Sequence, residues 1–83
     1  MNMDRAIFEL DASVEATSLY IILCALMDQG VAPTLDQARP KWSGAEESLV
    51  AAAEELVRRG VLHAGLPIRP DAHLHPTTRD QWC

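Results

Sequence analysis

The rhythm of apolar and polar positions changes several times along this chain, and each change predicts an element. Residues 5–10 (RAIFEL) alternate weakly, with Ala6, Phe8 and Leu10 to one side. That predicts a short strand or an extended arm. From residue 14 to residue 29 the pattern becomes helical, with Asp11 or Ser13 as the cap and Gly30 as the stop. Its middle, LYIILCALM, is apolar around nearly the whole circumference, which predicts a helix buried on most sides. The alternative is a dimer face in which part of Tyr20, Ile21, Leu23 and Met27 meets a second chain.

Two capping boxes follow. Thr34 stands three residues before Gln37, and Ser43 stands three before Glu46. In each, the hydroxyl accepts from the N3 amide while the longer side chain reaches back to the cap amide. Pro40 removes a donor and restricts Arg39, so the first of these helices is very short. A tight turn through residues 40–42 leads into a longer helix over residues 44–59. Ala45, Leu49, Ala52, Ala53 and Leu56 form its apolar stripe, with Val57 at the edge. Glu46 and Glu47 in the first turn and Arg58 and Arg59 in the last suit the macrodipole. Gly60 sits where a left-handed stop belongs, and Val61 folds back onto Leu56.

Residues 61–64 then read as a strand, and residues 72–75 as its returning partner. Gly65, Pro67, Pro70 and Asp71 supply the turn chemistry between them. Residues 77–83 form a tail that can begin another helical turn, in which Trp82 either covers the core or marks where a longer chain continues. The whole is one domain over 1–83, with a core at 13–76, an N-terminal arm or strand at 1–12 and a tail at 77–83.

This order of long helix, short helix, tight turn, longer helix and hairpin resembles the winged helix-turn-helix superfamily. SLVAAAEELVRRGVL resembles that family's second motif helix running into its first wing strand, with Leu49, Leu56, Gly60, Val61 and Leu62 at the usual apolar and glycine positions. The resemblance covers residues 13–75 and makes Val31 and Ala32 a small strand before the short helix. It implies an α+β winged-helix domain: three helices with a C-terminal β-hairpin, or wing. In members that bind DNA, the longer helix enters the major groove near its N-terminal end and the wing touches the backbone or minor groove. The groove-facing candidates so implied are Lys41, Trp42, Ser43, Ser48 and Ala51, with Arg69 on the wing. Lys41 and Arg69 would meet phosphates, and Ser43 and Ser48 phosphates or base edges.

Charge changes this picture. Seven Lys and Arg against twelve Asp and Glu give a net charge of −5, whereas nucleic-acid modules usually carry a basic excess. The exposed side of the longer helix carries Glu47, Glu54 and Glu55, and Glu54–Arg58 and Glu55–Arg59 are i,i+4 pairs in the favourable order. Two function readings therefore stand: a transcription-associated DNA-binding regulator acting as a homodimer, and an acidic protein-interaction module that does not contact DNA directly.

Other chemistry is sparse. His73 and His75 fall on one side of a strand, and His63, Asp71 or Cys83 could complete a zinc tetrahedron. The spacing matches no metal signature; the reading adopted is two histidines on the solvent face of a wing, with Leu74 inward and no metal or cofactor. No glycine-rich phosphate loop and no nucleophile–base spacing is present, so no enzyme is expected. Trp42 reads as a lid over the core. Cys24, inside an apolar run, reads as a packing thiol, which fits a reducing cytoplasmic compartment. The apolar run at 19–27 is too short for a bilayer span, and MNMDRAIFELD lacks the basic and apolar regions of a signal peptide.

Overall fold

Helix α1 (Val14–Asp28) is the element on which the others assemble, and it contacts both other helices and the N-terminal turn. The computed structural model describes residues 5–65, 68–69, 71–77 and 81–82, with side chains from Ile7 onward. Pro67, Pro70 and Cys83 lie outside the described residues. The elements after α1 are α2 (Leu35–Ala38), a 3-10 turn (Arg39–Lys41), α3 (Glu46–Arg58), β1 (Leu62–His63) and β2 (His75–Pro76). Among the described residues they make an α+β domain of three α-helices and one two-stranded antiparallel sheet. Among the described residues no helix is long and apolar enough to cross a membrane.

The N-terminal segment is a 3-10 helix, Arg5–Glu9, rather than a strand or extended arm. Residues three apart eclipse in that geometry. Ile7 is buried and Leu10 packs against the core, while Phe8 is 58% exposed. The weak alternation of RAIFEL puts Phe8 on the same side as Leu10, whereas the 3-10 geometry separates them.

Both long helices end alike. The amides of Gly30 and Val31 donate to Met27 and Leu26 (3.0 and 2.8 Å), and those of Gly60 and Val61 to Val57 and Leu56 (3.0 and 2.9 Å). Each is a Schellman closure that needs a left-handed residue, and the two glycines have φ of 77° and 78°. The space around them differs. A Cβ on Gly30 would meet nothing within 4 Å, whereas one on Gly60 would lie 2.2 Å from the Gln81 carbonyl oxygen. The C-terminal segment passes directly over the end of α3.

α1 buries Ala16, Leu19, Tyr20, Leu23, Cys24 and Leu26. Tyr20 and Leu23 therefore belong to the core of the single chain, not to a dimer face, while Ile21 remains 39% exposed. α3 answers with Leu49, Ala52, Ala53 and Leu56, and its two alanines let the helices approach closely. Trp82 covers this core: it meets Tyr20 edge-on at 5.7 Å and donates its indole N–H to the Thr77 hydroxyl at 3.1 Å. That hydroxyl in turn donates to the Gly60 carbonyl.

The hairpin is shorter than expected. Ladder pairing is limited to Leu62↔Pro76 and His63↔His75, and Val61, Ala64, and residues 72–74 lie outside it. Val31 and Ala32 form no strand. The Val31 amide is spent on the end of α1, and the Ala32 carbonyl accepts from Thr34 at 3.0 Å, so neither is free for a ladder. One residue later, however, the Pro33 carbonyl accepts the Leu74 amide at 2.8 Å and ties the hairpin to the start of α2. Leu74 is fully buried between its exposed neighbours His73 and His75.

Candidate interaction groove

The start of α3 departs from the sequence expectation. The helix begins at Glu46, with Ala45 at the cap position and no side-chain cap; Ser43 is exposed outside it. The reason is that Glu46 is drawn elsewhere. Its carboxylate takes a forked pair of bonds from Arg39 (2.7 and 3.0 Å), and the same guanidinium donates to Asp36 at 2.7 Å. Charge-assisted forked bonds are stronger than a neutral cap bond. They hold Arg39 firmly protonated and depress the Glu46 carboxyl below its ordinary value.

Trp42 and Ser48 meet beside this helix start. The indole N–H donates to Ser48 Oγ at 3.0 Å, and that hydroxyl donates to the Ala45 carbonyl at 2.7 Å. A Cβ on Gly44 would sit 2.9 Å from Ser48 Oγ and 3.1 Å from Trp42 Nε1, so the residue must be small for this contact to close.

The turn and α1 between them enclose a groove of about 450 Å3. Val14, Ile21 and Ile22 of α1 and Trp42 opposite supply its apolar surface, and Ser18, Ser43 and Ser48 its hydroxyls. It has one acid, Glu15, and one base, Lys41. Val14 is 77% exposed on the edge of this concave surface.

Four of the candidate contact residues thus gather here: Lys41, Trp42, Ser43 and Ser48 all line the groove. Trp42 is half-buried, a lid and a groove wall at once. Ser48 has its proton committed to Ala45, and Ala51 is exposed on α3. Arg69 does not line the groove, and it faces Asp71 at 3.6 Å on the hairpin.

The electrostatics follow a single rule. Each arginine whose side chain is described stands within 4.0 Å of a carboxylate: Arg39 by Asp36 and Glu46, Arg58 by Glu54 (3.8 Å), Arg59 by Glu55 (3.3 Å) and Arg69 by Asp71. Lys41 makes no ion pair among the described residues.

Glu55 has a second role that has no local sequence signal. It accepts the Ser13 amide at 3.0 Å and the Ser13 hydroxyl at 2.7 Å, while that hydroxyl accepts the Ala16 amide at 3.1 Å. The two bonds from Ser13 lower the Glu55 carboxyl below its ordinary value, with Arg59 adding to the effect. Arg59 also reaches the Leu10 carbonyl at 3.3 Å, so α3 clasps the entry to α1.

The histidines are separate from the groove. His63 and His75 are cross-strand partners, and the rings of His73 and His75 lie 5.5 Å apart, all three exposed. Among the described residues no group of three His, Cys, Asp or Glu side chains is arranged to hold a metal ion. Burial pushes the Cys24 thiol up, away from the reactive thiolate form.

No family model matches the chain, and neither a curated protein nor a solved structure matches it significantly.

Proposed function

We propose that this chain is a winged-helix-type domain acting as a protein-interaction module, which takes an apolar side chain of its partner into the groove between α1 and the turn at 41–44. The fold part of this reading is supported by the element order and by the Leu74–Pro33 bond, which lies where a third wing strand would join. The functional part is carried by one observation: the described arginines are matched with carboxylates, while Val14 and Ile21 stay exposed beside Trp42. Phosphate binding needs cations that are free to replace counterions. A groove edged by apolar residues needs a partner that removes them from water.

A direct DNA-binding reading keeps one observation in its favour, the convergence of Lys41, Trp42 and Ser43 just before α3. One experiment separates the two. Fluorescence anisotropy of a labelled duplex at low ionic strength is expected to show no salt-dependent binding. Binding that disappears in Lys41→Ala and Arg69→Ala would instead establish the DNA reading. Peptides selected from a random display library are expected to carry a large apolar residue and to lose binding to Ile21→Asp. Selected peptides indifferent to Ile21→Asp would remove the groove from the proposal.

A further inference from the structure

We infer that the occupant of the groove is a second copy of this chain, with the two α1 helices crossing antiparallel about a two-fold axis at Ser18. This inference rests on the reading of the groove as a protein-interaction site, and adds the identity of the partner.

The first ground is the spacing on α1. Val14, Ser18 and Ile22 stand four residues apart, on one face of the helix, and all three line the groove. The row has a branched apolar residue at each end and a small residue at its centre. An antiparallel two-fold pairing sets Val14 of one copy against Ile22 of the other, and the reverse contact follows from symmetry. The small centre allows the backbones to approach, and Ile21 extends the apolar contact to the side.

The second ground is charge. Two chains of net charge −5 repel one another, so they can meet stably only where the local balance is neutral and complementary. The groove has one acid and one base, Glu15 on α1 and Lys41 on the facing wall, and neither has an ionic partner among the described residues. A two-fold axis between them brings Glu15 of each copy to Lys41 of the other. The outer side of α3, with Glu47 and Glu54, would place acids against acids.

The third ground is exposure. Val14 at 77% and Ile21 at 39% are apolar surface that the chain's own core leaves uncovered. A contact limited to this groove falls at the small end of specific interfaces, so the dimer is reversible and concentration-dependent.

Sedimentation velocity across the micromolar range tests this. The wild-type chain is expected to pass from one-chain to two-chain mass, and Val14→Asp, an exposed change favourable to a helix start, is expected to remain at one-chain mass. Glu15→Lys and Lys41→Glu, each alone, are expected to weaken self-association by about tenfold or more. An equimolar mixture of those two variants restores complementary pairs on both sides of the axis, and is expected to recover the two-chain species. Melting curves matching the wild type confirm that the variants fold.

One-chain mass at every concentration would overturn the inference, as would a mixture that fails to recover. If the wild type is monomeric while Ile21-dependent peptides still bind, the interaction reading survives with a foreign partner. Loss of both results would remove both.

Discussion

Around the start of helix α3, Ser43 and Glu46 stand three residues apart as a capping box requires, and yet no side chain caps it. Helix α1 has Ala16 where such a box needs an acid, and yet its cap is complete: Ser13 serves the Ala16 amide, and Glu55, from α3, receives the Ser13 amide. The letters of the motif occur at one helix and its geometry at the other. A capping box records which partners are available within a turn. Where the packed fold offers a better one, the carboxylate goes there, as Glu46 goes to the fork of Arg39.

The ends of the same two helices give the sharpest test of how position changes an identical motif. Both close on a left-handed glycine, but only Gly60 lies under the Gln81 carbonyl. Gly30→Ala is expected to cost about 1–2 kcal/mol from backbone strain alone. Gly60→Ala should cost that and displace residues 81–82 as well, read by urea denaturation and by a change in Trp82 fluorescence. Equal losses would mean that the tail yields without resistance.

A smaller effect separates the two starts. Ser13→Ala is expected to cost about 1 kcal/mol, and Glu55→Ala a similar amount. Because they share one set of bonds, the double variant should lose clearly less than the sum. Ser43→Ala should stay within about 0.5 kcal/mol of wild type. A Ser43→Ala loss as large as that of Ser13→Ala would show that α3 is capped after all.

The smallest effect is seen in acid. Glu55 and Glu46 both have folded-state values below the ordinary one, so each contributes stability that is present above the unfolded carboxyl range, about pH 4.3. That stability is lost as pH falls through the lower folded values. Added salt should screen the exposed Arg39–Glu46 pair more than the bonds from Ser13. In high salt, Glu55→Gln is therefore expected to flatten the acid side of a melting-temperature profile more than Glu46→Gln does. The reverse order would put the stronger interaction at Arg39.

Features held within a few residues were legible in the sequence. The Ser13 and Thr34 caps, the glycine stops, the stripe on α3 and the i,i+4 pairs of Arg58 and Arg59 all follow from local spacing. What was misread depended on distant partners or on short elements. The segment 5–10 is too short for its period to be decided, and the strands are two residues each, with the Val61 amide spent on closing α3 and the Leu74 amide on Pro33. The groove was half legible. The candidates on the turn were found by resemblance, but its α1 wall was hidden because α1 looks apolar on every side, and only packing shows which face remains uncovered.

The Ser13–Glu55 contact joins residues 42 positions apart, and this has a kinetic meaning. The Ser13 hydroxyl caps the first turn of α1 locally, but the Ser13 amide finds its acceptor only once α3 has docked. A peptide of α1 alone should fray at that end, while in the whole chain the same cap is completed only with the core. Completion of this cap is therefore expected to couple the two helices in folding, with the closing of a long loop adding to its entropic cost.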